Sequence, residues 1–84
     1  MPKLASHARL QFNKQRDQWL VQTPERVIML DAIALAIVQR CTGASTVSAI
    51  VDDLAAQYAA PRDLIARDVS ALLQDLADKG VMTA

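Results

Sequence analysis

The segment QTPERVIMLD, at residues 22–31, decides the fold because the periodicity of the chain changes within it. Pro24 fixes a backbone angle that suits a turn position. The apolar run VIML at 27–30 then has the length and composition of a short strand. From Asp31 onward, apolar residues recur at helical spacing. The sequence therefore predicts strands up to Leu30 and helices after it.

Two runs upstream of this segment are also typical of strands. In ARLQFN, Leu10 and Phe12 alternate with polar neighbours, and QWLVQ is rich in residues that favour strands. The polar stretch KQRD lies between them as a turn. Together with VIML, these runs predict a three-stranded antiparallel meander. Residues 1–8 are expected to form a flexible N-terminal segment.

Three helices are predicted downstream, each with residues that favour helix ends. These end signals are Asp31 and Gly43 for the first helix, Thr46 (or Ser45) at the start of the second, and Pro61, Lys79 and Gly80 for the third. Apolar residues such as Ile37 and Leu54 follow the spacing of a buried helical face. The predicted fold class is α+β: a single domain over 1–84 with a three-stranded antiparallel sheet followed by three helices, a winged-helix-like arrangement.

Composition sets limits on the class of protein. The nine basic and nine acidic side chains cancel, although the first 42 residues hold six basic and three acidic groups and the last 42 hold three and six. No apolar run approaches the roughly 18 residues of a membrane span. The single cysteine allows no internal disulfide and fits a reducing compartment. With no signal-peptide pattern at the N-terminus, we expect a cytoplasmic protein without a membrane partner.

The residues that could carry catalysis are few and scattered. His7 is the only histidine, and no cysteine or histidine stands beside it at ligand spacing. Cys41 falls on an apolar helix face, where an inert packed thiol is expected. Asp52 and Asp53 diverge by about 100° on a helix, so they cannot work as a pair and are expected to be solvated. The sequence therefore predicts no enzyme and no metal site.

Charge also argues against a nucleic-acid partner. A recognition helix needs Lys and Arg to neutralise phosphates. The third predicted helix carries more acidic than basic residues, and the second carries no basic residue at all. A winged-helix-like nucleic-acid-binding module is therefore only an alternative, and a general protein-interaction module is another. The interpretation that fits best is peptide or protein binding at the edge of the sheet.

A family resemblance sharpens this interpretation. Two stretches resemble the PqqD family of pyrroloquinoline quinone biosynthesis: VQTPERVIMLDAIALAIVQRCTG and STVSAIVDDLAAQYAAPRDLIARDVSALLQDLADKGV. Domains related to this family are called precursor-peptide recognition elements. The likeness extends from Arg9 to Val81. It rests on the turn Pro24-Glu25-Arg26, on Cys41 and Gly43, and on a closing signature matched at Asp68, Val69, Leu72, Leu73, Leu76, Ala77, Asp78 and Gly80. Asp31 and Thr42 depart from the usual Asn and Asp, which are mild changes for a cap and a turn.

The resemblance implies a peptide chaperone that needs no cofactor. Proteins of this family bind the precursor peptide PqqA and present it to PqqE, a radical S-adenosylmethionine enzyme that cross-links a Glu and a Tyr of that peptide. Related domains receive the peptide as an added strand along the third strand, against the third helix. The residues expected to bind the peptide are Arg26, Val27, Ile28, Met29, Leu30, Asp68, Val69, Leu72, Leu73, Asp75 and Leu76. A homodimer formed by strand exchange is left open.

The residues themselves favour the same site. The last strand of a meander can be an edge whose N–H and C=O groups are free to pair with a peptide. On the third helix, Leu72 borders the apolar arc, with Asp68 and Asp75 beside it. This arrangement predicts an apolar groove with an acidic lip. Along the strand, Ile28 and Leu30 are expected to point inward and their neighbours outward.

Overall fold

The structure, a computed structural model, describes residues 1–83. It confirms the three-stranded antiparallel sheet followed by three helices, and it adds two short strands at the ends of the chain. The elements in chain order are β1 (Lys3–Leu4), β2 (Arg9–Asn13), β3 (Gln18–Gln22), β4 (Val27–Leu30), α1 (Ala32–Gln39), α2 (Val47–Tyr58), α3 (Arg62–Asp78) and β5 (Met82–Thr83). Within residues 1–83, no helix combines the length and the apolar character needed to cross a membrane.

The main sheet has the order β2-β3-β4, with both pairs antiparallel. Directly opposed residues share a face, so one row across the sheet is Leu10, Val21 and Ile28. This row faces the helices, because Val21 belongs to the buried core and the other two side chains pack against it. The opposite face of the sheet, which we call the outer face, turns away from the helices.

Two short strands at the ends of the chain were missed by sequence reasoning. Lys3–Leu4 pairs antiparallel with Met82–Thr83, and Gly43 N donates to Pro2 O at 3.0 Å. Gly43 has a φ of +83°, and a Cβ there would lie 3.2 Å from the Lys3 side chain. A two-residue strand gives no periodic signal, since pairing between the chain ends depends on the finished fold. The flexibility expected for residues 1–8 stays a prediction about motion.

The helix starts follow the predicted caps. Asp31 Oδ1 accepts a hydrogen bond from Ala34 N at 2.7 Å, and Thr46 Oγ1 accepts one from Ala49 N at 3.1 Å. Each cap therefore satisfies a backbone N–H that the first turn leaves free. α3 begins directly after Pro61. α1 ends at Gln39, earlier than the predicted end at Gly43, because the next two residues form a tighter turn.

The core lies between the inner face of the sheet and the three helices. Its fully buried side chains come from every layer: Ile37, Ile50, Leu54, Leu76, Val21, Val69 and Val81. Ile37 and Leu54 are therefore core residues, as predicted. Burial of such side chains is the main favourable contribution to folding.

The acidic pair on α2 is engaged in ion pairs. Arg40 Nε lies 2.5 Å from Asp53 Oδ2, and Arg62 Nε lies 2.5 Å from Asp52 Oδ1. The expectation that both carboxylates are merely solvated was therefore wrong. The two aspartates diverge around α2, and this divergence lets each one reach a different neighbouring helix or helix end.

Candidate functional site: an open strand edge beside α3

β4 is an edge strand of the main sheet. Among the residues that the structure describes, β3 is the only strand that pairs with it. An edge strand carries a row of backbone N–H and C=O groups that can pair with another chain. The direction of each group decides which residues of β4 can do so.

The turn between β3 and β4 sets the direction of these groups. Thr23 is buried, its N–H donates to Arg26 O at 3.0 Å, and its Oγ1 accepts from Arg26 N at 3.0 Å. Thr23 and Arg26 are thus hydrogen-bonded partners. In an antiparallel ladder, opposed pairs alternate between bonded and non-bonded. The pair formed by Gln22 and Val27 is therefore non-bonded, and the pattern continues along the strand.

Two residues of β4 consequently present their backbone to the open edge. Val27 and Met29 stand in non-bonded pairs with β3, so their N–H and C=O groups point away from the sheet. Ile28 and Leu30 stand in bonded pairs, so theirs are used within it. The side chains alternate as well: Leu30 is buried and Ile28 half-buried, whereas Val27 and Met29 are exposed. The edge thus offers two donors and two acceptors.

A recess opens between α1 and α3 at the end of β4. It has a volume of about 350 Å³, and we call it the α1–α3 recess. Its lining is mostly apolar with two carboxylates at its border: Asp31, Ile33, Ala34, Ile37, Asp68, Ala71 and Leu72. Neither Asp31 nor Asp68 forms a salt bridge within residues 1–83. The recess therefore suits an apolar side chain next to a positive charge.

A second recess of about 330 Å³ lies at the opposite end of β4, beside the turn. Its lining includes Arg26 and Lys79, so the last turn of α3 stands next to the start of β4. Lys79 Nζ contacts Asp75 Oδ2 at 2.8 Å, and this pair offsets the charge there. Residues of α3 and its C-cap Lys79 thus border the recesses at the two ends of β4. Glu25 also lines the recess beside the turn, next to Arg26, so acidic and basic side chains are mixed here, whereas the α1–α3 recess has carboxylates alone at its border.

The predicted site residues divide into contact and core positions. Val69 and Leu76 have no exposed surface. Their inclusion among peptide contacts is corrected here: they are core residues that fix α3 in place. Leu73 lines a different groove of about 310 Å³, beside Val47 and Met82. It lies one residue, or about 100°, around α3 from Leu72.

Leu30 is likewise a core residue, because its side chain is buried. Of the other predicted residues, Arg26, Val27 and Met29 are exposed along the strand and Ile28 is half-buried. Asp68, Leu72 and Asp75 follow each other at helical spacing on α3. Sequence reasoning missed Ile33, Ala34, Ile37 and Ala71 as lining residues of the α1–α3 recess. The sequence marks Ile33 as apolar, but only tertiary packing shows that α1 and α3 meet beside β4.

Among the described residues, the side chains that could ligate a metal are scattered, and the one cysteine is buried. Within residues 1–83, no group of three or more His, Cys, Asp or Glu side chains could hold a metal ion. Cys41 is buried, and its Sγ donates to Ile37 O at 3.2 Å. Burial raises the pKa of its thiol to about 11, so the nucleophilic thiolate is scarce near neutral pH.

Comparisons with known proteins agree on one family. Residues 18–82 match the family model for coenzyme PQQ synthesis protein D (PqqD). A protein of Rhodopseudomonas palustris described as PqqA binding protein is 55% identical over 82 residues, which cover 98% of this chain and 80% of that protein. Its counterpart in Gluconobacter oxydans is 40% identical over 74 residues, covering 88% of this chain and 77% of that protein.

Solved structures give the same result. One is the solution structure of the PqqD truncation of Methylobacterium extorquens PqqCD, described as a functional, stand-alone recognition element for ribosomally synthesised and modified peptides. It superposes with a TM-score of 0.84 at 34% identity, over 99% of this chain and 88% of that chain. The crystal structure of PqqD from Xanthomonas campestris gives a TM-score of 0.69 at 38% identity, over 100% and 93%.

Proposed function

Since this chain belongs to the PqqD family of coenzyme PQQ synthesis proteins, we propose that it binds the precursor peptide PqqA by strand addition to β4 and presents it to the radical S-adenosylmethionine enzyme PqqE. In this role the chain is a recognition element and performs no catalytic step. The relatives described as PqqA binding proteins support the choice of peptide.

The observation that carries the proposal is the backbone geometry of β4. Val27 and Met29 direct their N–H and C=O groups to an edge that no described strand covers. A peptide laid along this edge gains main-chain hydrogen bonds whatever its sequence. Affinity from the backbone alone would not distinguish one peptide from another, so selectivity needs neighbouring side chains.

The α1–α3 recess supplies that selectivity. Leu72 and Ile33 offer apolar surface, and the unpaired carboxylates of Asp31 and Asp68 stand at its border. A basic side chain or a free amino group near the apolar anchor of the peptide would face these carboxylates. Their attraction is partly screened because both aspartates are exposed. The recess therefore selects an apolar residue with a positive neighbour.

Amide hydrogen exchange tests strand addition directly. In the free protein, the amides of Val27 and Met29 should exchange quickly, because they point to solvent, whereas those of Ile28 and Leu30 should exchange slowly. Addition of a synthetic PqqA peptide should slow exchange at Val27 and Met29 and leave the other two nearly unchanged. This alternation along one strand is the signature of pairing at its outer edge.

Two results would contradict the proposal. One is saturable peptide binding that changes exchange only in α2, which would place the peptide elsewhere. The other is equal protection at all four residues of β4, which would indicate general stabilisation. Presentation to PqqE has its own test: cross-linking of PqqA by PqqE should depend on this chain, and a variant that cannot pair at β4 should not support it.

A further inference from the structure

We infer that the outer face of β4 is a second half of the peptide site, so that the recognised peptide segment is apolar on both faces rather than on alternate residues. This inference rests on the proposed function. The side chains of Val27 and Met29 are specificity determinants, and the outward-facing side chains of the bound peptide cover them.

The outer face of the sheet carries an apolar patch that the helices do not cover. Leu20 is buried, yet it is not part of the core between sheet and helices. It lies directly opposite Met29, so the two side chains share the outer face. Val27 lies on the same face and is 50% exposed, and Met29 is 39% exposed. Val27 and Met29 are the exposed part of what we call the outer apolar patch, and Leu20 is its buried part.

The patch continues to the edge where the peptide is proposed to pair. Residues directly opposed in neighbouring strands share a face. A peptide residue opposite Met29 would therefore extend the row of Leu20 and Met29 by one position. A residue opposite Val27 would stand on the same outer face, and the residue between them would point inward beside Ile28. Three consecutive peptide residues would thus all meet apolar side chains.

This geometry distinguishes two kinds of peptide. A strand that rests on a core and faces water alternates apolar and polar residues. A strand added here would meet α3 on its inner side and the outer apolar patch on its other side. The recognised segment is therefore a short continuous run of apolar residues, with its basic neighbour at the α1–α3 recess.

Substitutions on the outer face test the inference without disturbing the core. Met29→Gln and Val27→Thr keep the backbone groups and remove apolar contact from exposed positions. Met29→Gln should weaken binding of a synthetic PqqA peptide by about tenfold, and Val27→Thr by a smaller factor. Leu64→Gln is the matched control, because Leu64 is 49% exposed but lies on α3 outside both recesses beside β4. It should leave the affinity unchanged.

A substitution in the peptide completes the test. A Gln at the peptide position opposite Met29 should weaken binding to the wild-type protein, yet cost much less with Met29→Gln, since the contact is then already lost. Exchange protection at the Val27 and Met29 amides reports strand addition separately. If protection persists while Met29→Gln binds as tightly as wild type, this inference is wrong and the proposed function stands. If protection and binding are both absent in the wild-type protein, the proposed function itself fails.

Other occupants of the patch would give a different pattern. If Met29→Gln left peptide affinity unchanged but abolished self-association in sedimentation, the patch would serve contact between copies of this chain. If it abolished only the PqqE-dependent reaction, the enzyme would cover the patch. Either result would overturn the inference. Unfolding curves for every variant should coincide with that of wild type, because the changed side chains are exposed.

Discussion

Single side chains separate the stability of this domain from its binding. Leu54 is almost completely buried in the core and lies outside the α1–α3 recess, whereas Leu72 is only half-buried and lines that recess. Truncation in the core leaves a cavity that the surroundings fill only in part. Truncation of a side chain at a recess that is open to water removes contact with a ligand but lowers the stability of the fold only slightly.

Leu54→Ala should therefore lower the free energy of unfolding by about 2–5 kcal/mol, as measured by chemical denaturation. Peptide affinity should be kept at temperatures where the variant is folded, because α2 lies outside the site. Leu72→Ala serves as the counterpart: it should weaken peptide binding and cost less stability. Loss of binding by folded Leu54→Ala at wild-type stability would contradict the assignment of α2 as scaffold.

Cys41 gives the domain a defined response to alkaline pH. Burial raises the pKa of its thiol from an ordinary 9.0 to about 11. Below pH 9, both the folded and the unfolded chain keep the proton, and stability from this group is fully present. Between 9 and 11, the unfolded chain loses the proton while the folded chain retains it, so the free energy of unfolding falls as pH rises.

The difference in unfolding free energy between wild type and Cys41→Ala should accordingly shrink as pH rises from 9 toward 11. Denaturation at several pH values measures it, and the comparison removes contributions from other titrating groups. A difference that stays constant across this range would show that the thiol titrates alike in both states.

The helix caps test how elements contribute to the site. Asp31 caps α1 and borders the α1–α3 recess, whereas Thr46 caps α2 at a distance from that recess. Asp31→Ala and Thr46→Ala should each cost about 1 kcal/mol of stability. Asp31→Ala should also weaken peptide binding, and Thr46→Ala should not. Asp31→Ser separates the two roles, since serine keeps the cap and removes the charge. If all three variants bound the peptide as tightly as wild type, Asp31 would not be part of the site.

Proline substitutions in β4 examine the direction of its amides. Met29→Pro removes an N–H that points to the open edge, so peptide binding should be lost with a modest decrease in melting temperature. Ile28→Pro removes an N–H that bonds to β3, and the domain should lose much of its stability. Thermal melts followed by peptide titration measure both effects. If Met29→Pro melted at a lower temperature than Ile28→Pro, the N–H of Met29 would bond to β3 and that of Ile28 would point to the open edge.

The elements differ in how much of them could be predicted. The run VIML and the cap at Asp31 fix β4 and the start of α1, because period and capping chemistry are local. The pairing of Lys3–Leu4 with Met82–Thr83 joins opposite ends of the chain and leaves no local pattern. For the site, the strand edge and Leu72 with Asp68 could be predicted. The burial of Val69 and the contribution of Ile33 could not, since both depend on how α1 and α3 pack.

Across the whole molecule, charge is distributed unevenly. Ion pairs neutralise some carboxylates and leave others to attract a basic group. Among residues 1–83, the carboxylates of Asp52, Asp53 and Asp75 are paired with basic side chains. Asp31 and Asp68 are not, and they face no basic side chain in the α1–α3 recess, whereas Glu25 at the other end of β4 stands beside Arg26 and Lys79. The negative field at the end of β4 therefore comes from the α1–α3 recess. The predicted acidic lip at Asp68 and Asp75 is thus stronger at its Asp68 end.

Charge reversal at these two positions should therefore have unequal effects. Asp68→Lys should weaken binding of a PqqA peptide that carries a basic residue, most strongly at low ionic strength, because the contact is exposed and screened by salt. Asp75→Lys should have a smaller effect, since Lys79 already offsets that carboxylate in the wild-type protein. Titrations at low and high salt measure both variants against wild type, and a peptide whose basic residue is replaced by Gln serves as the control. That peptide should bind wild type and Asp68→Lys with similar affinity. An effect of Asp68→Lys that is independent of salt, or equal for both peptides, would show that Asp68 acts through packing and not through charge.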